Sequence, residues 1–291
     1  MYYINNYRQK KSLIKTFSEN IICILRLLFN RLQNGKDVKT ILFYPQYPSR
    51  RSVIYKVMRS LKYNMTNNPR RNHHLTIYWD YDTYRKPDKE ILELAKQESV
   101  INFNCRDISK SYVEKKFHEV FGYSYSVDST NYTLPYVKKS ERNASHDGII
   151  LKKPVKPEKG FVYQKLINNS YNNELVVDIR VTIINYKIPL AFLKYKAKSS
   201  RFRHFSKSNK KSVEVHPIDK TLSTNEIKKT IDFCKALGLE YGELDILRDI
   251  NNNRIYIIDA NNTPTGPTCK KRTKKESINK IAEVFVAEFI N

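Results

Sequence analysis

Apolar residues recur along this chain with changing periods, and the changes divide it into segments. Phe17, Ile21, Ile24, Leu25, Leu28 and Leu32 share one helical face that closes at Asn34-Gly35. Residues 1–36 therefore predict an N-terminal amphipathic helix that docks on the body of the protein or on a partner. From 37 to 130, strand-like and helical patterns alternate. Segments 40–44, 75–79 and 100–103 read as strands, while 51–61 and 87–97 read as helices, with Pro87 in a permitted first-turn position. A third helix starts near Asp107 or Ser109, carries Val113, Phe117, Val120 and Phe121 on one face, and stops at Gly122. Such alternation predicts a small parallel α/β unit.

Strand-like runs dominate residues 131–291: 136–139, 148–151, 161–167, 175–185 and 188–195. The Lys- and Ser-rich stretch 196–212 reads as a loop. A Ser223-x-x-Glu226 capping box opens a helix through Ile227, Ile231 and Cys234 that ends at Gly238. A hairpin follows at 241–264. A basic turn (Lys270, Lys271, Arg272, Lys274, Lys275) then leads into a closing helix with Ile278, Ile281, Phe285 and Phe289. The overall class is α/β, turning α+β in the C-terminal half.

Composition narrows the function. With 291 residues and only seven glycines, the chain has room for one large core or two modest ones and is not fibrous. A net charge of +24, with 21 tyrosines, draws polyanions: nucleotides, phosphorylated substrates, nucleic acid or an acidic membrane surface. The four cysteines stand far apart with no Cys-x-x-Cys pair, which argues against a zinc site or a disulfide framework. The longest apolar run, 21–29, is interrupted by Arg26 and is shorter than the roughly 20 residues that span a bilayer. The expected setting is the cytoplasm.

Chemistry concentrates in the hairpin. If it folds symmetrically about Asn252, Asp245 stands opposite Asp259, and Asn261 projects from the same strand face. Directly opposed side chains sit about 5 Å apart, so two carboxylates there repel unless a cation bridges them. Two carboxylates and an amide oxygen suit Mg²⁺, with Mn²⁺ as a substitute. The alternative is a solvent-facing hairpin edge with scattered acids.

In 175–184, Val177, Ile179, Val181 and Ile183 form an apolar face and Asp178 and Arg180 share the other. Arg180 either clamps a phosphate or carboxylate with its planar fork or forms a structural pair with Asp178. Lys194 and Lys196 on the next strand extend a phosphate-facing surface. Lys138 and Lys139 precede a polar loop, Glu141–Gly148, able to cover phosphates, although no P-loop pattern is present. The strand through Gln164, Lys165, Leu166 and Ile167 either presents backbone groups to an adenine ring or is plain core.

The order of these pieces resembles the ATP-grasp superfamily: strand lysine, covering loop, Gln-Lys-Leu-Ile hinge, Asp-x-Arg-Val, then Asp…Asp-x-Asn. The resemblance runs from Tyr136 to Pro267. It implies a two-subdomain ATP-grasp module at 131–291 after a small α/β domain at 37–130. It further implies Asp245, Asp259 and Asn261 as ligands of the Mg²⁺ that bridges ATP phosphates. Lys138 or Lys139, with Lys165, would contact phosphate and nucleobase. Gln164 to Ile167 would form the adenine hinge, beside Asp178, and Arg180 and Lys194 would act on the transferring phosphoryl group. The covering loop is not glycine-rich, and Asp259 stands where many members carry Glu. The activity implied is carboxylate activation as an acyl phosphate, then attack by an amine, on small-molecule or peptide substrates. Other readings of the same residues are an ATP-grasp kinase of a hydroxyl, a glycosyltransferase using Asp80-x-Asp82, or a nucleic-acid-binding protein.

Overall fold

The computed structural model describes residues 38–202, 210–266 and 269–291. The helix read over 1–36 lies outside them. A four-stranded parallel sheet is built from β1 (Thr40–Pro45), β2 (Asn64–Thr66), β3 (Leu75–Trp79) and β4 (Val100–Ile101), ordered β2-β1-β3-β4. The short β2 escaped sequence reading because Asn-Met-Thr carries no alternation. Strand β4 ends after two residues because buried Asn102 turns left-handed, at φ 63°. Helix α1 (Val53–Ser60) buries Val53, Ile54, Val57 and Met58. Helix α2 (Lys89–Gln97) packs Ile91 and Leu94 on Leu42, Tyr78 and Val100. Its N-cap is Asp88, whose carboxylate accepts from Ile91 N at 3.0 Å, so Pro87 precedes the helix and does not sit in its first turn.

Helix α3 (Lys110–Phe121) starts at Ser109 and stops at left-handed Gly122. It does not pack on the parallel sheet that precedes it. Val113, Phe117 and Phe121 instead join a core built on the later, antiparallel strands. The cause is aromatic: Phe117 lies 4.4 Å from Phe121, 5.2 Å from Tyr123, 5.3 Å from Tyr125 and 6.0 Å from Tyr256, ring centre to ring centre. The buried rings among these, Phe117, Phe121, Tyr125 and Tyr256, each contribute about 2 kcal/mol by area alone.

Those strands form two antiparallel sheets. The smaller has β5 (Tyr136–Ser140), β6 (Ile149–Leu151) and β7 (Phe161–Lys165), ordered β6-β5-β7. The larger has β8 (Leu175–Ile184), β9 (Ala191–Ala197), β10 (Lys210–His216), β11 (Tyr241–Arg248) and β12 (Ile255–Asn261), ordered β10-β9-β8-β11-β12. The loop expected over 196–212 is thus shortened at both ends. Strand β9 runs to Ala197, a 3₁₀ turn follows at Lys198–Ser200, and β10 begins at Lys210. Helix α4 (Thr224–Leu237) carries the full capping box of Ser223 and Glu226 and packs with α3 on one face of the larger sheet. Helix α5 (Lys271–Phe289) sends Ile278, Ile281 and Phe285 into a core shared with α1, Ile41, Phe43, Trp79, Phe192 and Tyr241, joining the parallel sheet to the far end of the larger one. Among the described residues no helix is long and apolar enough to cross a membrane.

Candidate functional site

One end of a single face of the larger sheet is left polar, and a row of charges crosses it. Arg180 of β8 is the register partner of Asp245 on β11, and Asp245 is the partner of Asp259 on β12. Lys194 of β9 stands opposite Asp178, and Lys196 opposite Val176. The hairpin reaches this pairing differently from the symmetric turn that the sequence suggests. Its outer residues pair Arg248 with Ile255 and Ile246 with Ile257, and a bulge beyond Ile246 shifts the register by one. Without the bulge, Ile258 and not Asp259 would face Asp245.

The small sheet forms the facing wall. Alternation along β5 turns Val137 and Lys139 into the cleft with Gln164, Lys165, Leu166 and Ile167. Lys138 goes the other way: its ammonium pairs with Glu158 and lies 4.2 Å from the centre of the Phe161 ring. Of the two lysines read as phosphate contacts, only Lys139 reaches the cleft. The loop between β5 and β6 folds over the mouth with Ala144 to Gly148. Asn143 holds it there, its amide donating to the Ala260 carbonyl at 3.2 Å and its backbone N–H to Thr83 Oγ1 at 3.1 Å. Ala144 and His146 adopt φ of 59° and 52°, the turns that glycine would otherwise provide. The cleft measures about 1090 Å³ out to its open mouth.

Seven Lys and Arg side chains line it against four Asp, so the cleft attracts anions. Burial and the neighbouring Lys110 lower Lys139 to about 8, and burial with Arg180 alongside does the same for Lys194. Burial opposes the charge of Asp245, yet Arg180 and Lys194 hold its carboxyl far below the usual range. Arg180 grips that carboxylate at both oxygens, Nε to Oδ1 at 2.7 Å and Nη2 to Oδ2 at 2.5 Å. Lys194 lies 3.5 Å from the same group. Asp178 is tied to Lys196 and accepts from the Asn169 amide at 2.9 Å.

Three contributors carry no readable local signal in sequence. Lys110, the first residue of α3, is largely buried and reaches Asp259 at 3.5 Å across 149 positions of chain. Arg201 donates to the Ile167 carbonyl at 2.9 Å and to Asn169 Oδ1 at 2.5 Å. Tyr125 is fully buried at the cleft floor, its hydroxyl donating to Ile257 O.

Along β11 the cleft passes from Asp245 to apolar Leu247, which lines it with Val137, Ile167 and Ile258. Buried Gln164 has a side-chain oxygen that accepts no hydrogen bond. An apolar slot with one unused acceptor, beside a cationic pocket, fits a flat ring bearing an N–H donor and a polyanionic tail, as in ATP. The paired carboxylates offer hard oxygens to Mg²⁺. Asn261 stands two residues beyond Asp259, and its amide oxygen accepts from Thr263 N at 3.0 Å with a second lone pair left over. Among the described residues no three His, Cys, Asp or Glu side chains group to hold a metal, so a shell built here would be completed by oxygens from outside the protein, those of water or phosphate. Asp80 and Asp82 are not part of this cleft. Asp80 Oδ1 accepts from Gln46 Nε2 at 2.9 Å and Asp82 N at 3.2 Å, a turn-forming role.

No protein-family model matches the sequence, and no curated protein matches it. Solved structures do match. The ATP-grasp ligase PsnB complexed with a minimal precursor superposes with TM-score 0.51 at 10% identity, over 87% of this chain and 99% of that one. PsnB with a phosphomimetic precursor variant, Mg and ADP gives 0.53 at 11%, over the same shares. The D-alanine–D-alanine ligase of Bacillus anthracis complexed with ATP gives 0.53 at 13%, over 87% of this chain and 97% of that one. With a parallel sheet ahead of two antiparallel sheets that face each other across a cationic cleft, the chain has the ATP-grasp fold.

Proposed function

We propose that the protein is an ATP- and Mg²⁺-dependent ligase that joins a carboxylate to an amine. One observation carries this reading: Asp245 and Asp259 are register partners in a cleft lined by Lys110, Lys139, Arg180, Lys194, Lys196 and Arg201. Asp245 and Asp259, with Asn261, would hold the metal, and Lys110 and Lys139 the phosphates. Gln164 and the Lys165–Ile167 segment would take the adenine. The chemistry ATP supplies when bound is transfer of its γ-phosphoryl group to a carboxylate oxygen, giving an acyl phosphate that an amine opens with release of phosphate. Arg180 and Lys194 stand where negative charge spreads during that transfer, and fixed cations in a water-poor cleft lower its barrier. The covering loop, pinned by Asn143, keeps bulk water from the acyl phosphate.

The structures that the chain resembles include a ligase bound to a precursor and one that acts on D-alanine. Peptide and amino-acid carboxylates are accordingly the first acceptors to screen. Titration calorimetry with ATP, with and without Mg²⁺, tests the core of the proposal on wild type, Asp259→Ala and Asn261→Ala. Magnesium-enhanced binding in wild type, lost in both variants, is expected; binding indifferent to Mg²⁺ in all three would refute it. Phosphate release only when both a carboxylate and an amine are present separates a ligase from a hydroxyl kinase, which releases none.

A further inference from the structure

Arg180 does not serve Asp245 alone. Its third nitrogen, Nη1, donates to Oε2 of Glu243 at 3.2 Å, so one guanidinium is spread over two carboxylates of β11. Glu243 precedes Asp245 by two residues and therefore shares its face. It is the register partner of Thr182 on one side and Asn261 on the other. It is 2% exposed, lies outside the lining of the cleft, and its second oxygen, Oε1, accepts no hydrogen bond. A buried carboxylate with an unused oxygen is costly and calls for an explanation, of which a partner gained in another state is one.

The other state follows from the rivalry over Asp245. A divalent cation held by Asp245 and Asp259 would compete with Arg180 for the Asp245 carboxylate and would repel the guanidinium. We propose that Glu243 is a positioning residue, the second seat of Arg180. When the metal takes Asp245, Arg180 shifts its two-pronged grip to Oε1 and Oε2 of Glu243 and stays beside the transferring phosphoryl group. Glu243 thereby lowers the cost of releasing Asp245 and couples metal binding to the placement of Arg180. This rests on the nucleotide and metal reading above.

The test compares ADP binding by calorimetry with and without Mg²⁺, in wild type and Glu243→Gln, with thermal melting to show that each is folded. Glutamine keeps the size but offers the guanidinium no charge. The expected result is that the affinity gained from Mg²⁺ shrinks about fivefold or more, while ADP alone binds as in wild type. In an Arg180→Lys background, Glu243→Gln should leave the magnesium gain unchanged, because a single ammonium has no fork to transfer. Equal loss with and without Mg²⁺, or no loss, overturns the second seat and leaves the ligase reading standing. If wild type gains nothing from Mg²⁺, both fall. Should Glu243→Gln not fold, Glu243→Asp takes its place, since it withdraws the oxygens by one methylene and predicts the same selective loss.

Discussion

Lys139 and Lys194 lose basicity because burial and a neighbouring cation both penalise their charge, and each falls to about 8. A bound phosphate reverses this, because it favours the protonated amines. Nucleotide binding near pH 8 should therefore take up protons, and affinity should fall as pH rises through that value. Calorimetry in two buffers of different ionisation heat measures the uptake, and an affinity flat across this range would contradict it. Asp245 has the opposite sign. Its depressed pKa contributes stability that is present above the ordinary carboxylate range and is lost as pH falls below it. Asp245→Asn should cost about 2 kcal/mol in urea unfolding at neutral pH, the scale of hydrogen bonds to a charged group. That difference should narrow in acid; a constant one would mean the partnership with Arg180 is not its source.

Element by element, the sequence exposed starts and stops better than partners. Helix α4 shows both ends, with the Ser223–Glu226 box at one and Gly238 at the other. Gly238 has φ 71°, and a Cβ there would stand 2.7 Å from the backbone of Asn104. Gly238→Ala should consequently lower stability by about 2 kcal/mol or more, beyond the conformational penalty alone, as read by thermal melting. An unchanged melting point would show that the Asn104 turn yields. The acid pair was legible because turn residues and alternation are local. The bulge that produces it was not, since a two-against-one pairing depends on the partner strand. Lys138 and Lys139 were inseparable in sequence because which face of β5 is inward depends on where the larger sheet lies. The packing of α3 was hidden for a like reason: Phe117 and Phe121 mark an apolar face but not the Tyr256 it meets.

For the whole molecule, the parallel sheet is fastened to the start of β11 by polar bonds of Asn102 as well as by apolar packing such as Trp79 beside Tyr241. The Asn102 amide donates to Tyr241 O at 2.7 Å, its oxygen accepts from Glu240 N and Tyr241 N, both at 2.9 Å, and its own N–H donates to a Glu240 carboxylate oxygen at 2.7 Å. Asn102→Ala removes the first three, leaves buried backbone groups unpaired and must still hold φ 63°. It should cost about 3 kcal/mol and separate the melting of the two sheets into distinguishable steps in scanning calorimetry. One sharp transition of unchanged midpoint would show that the apolar contacts suffice.

Helix α5 closes a core begun by β1, β3 and α1, roughly two hundred positions earlier in the chain. During synthesis, Ile41, Phe43 and Trp79 leave the ribosome long before Ile278, Ile281 and Phe285 exist to cover them. The parallel unit, though made early, cannot complete its core alone. It must wait with its apolar surface open, which makes it a natural client for chaperones until the last helix arrives.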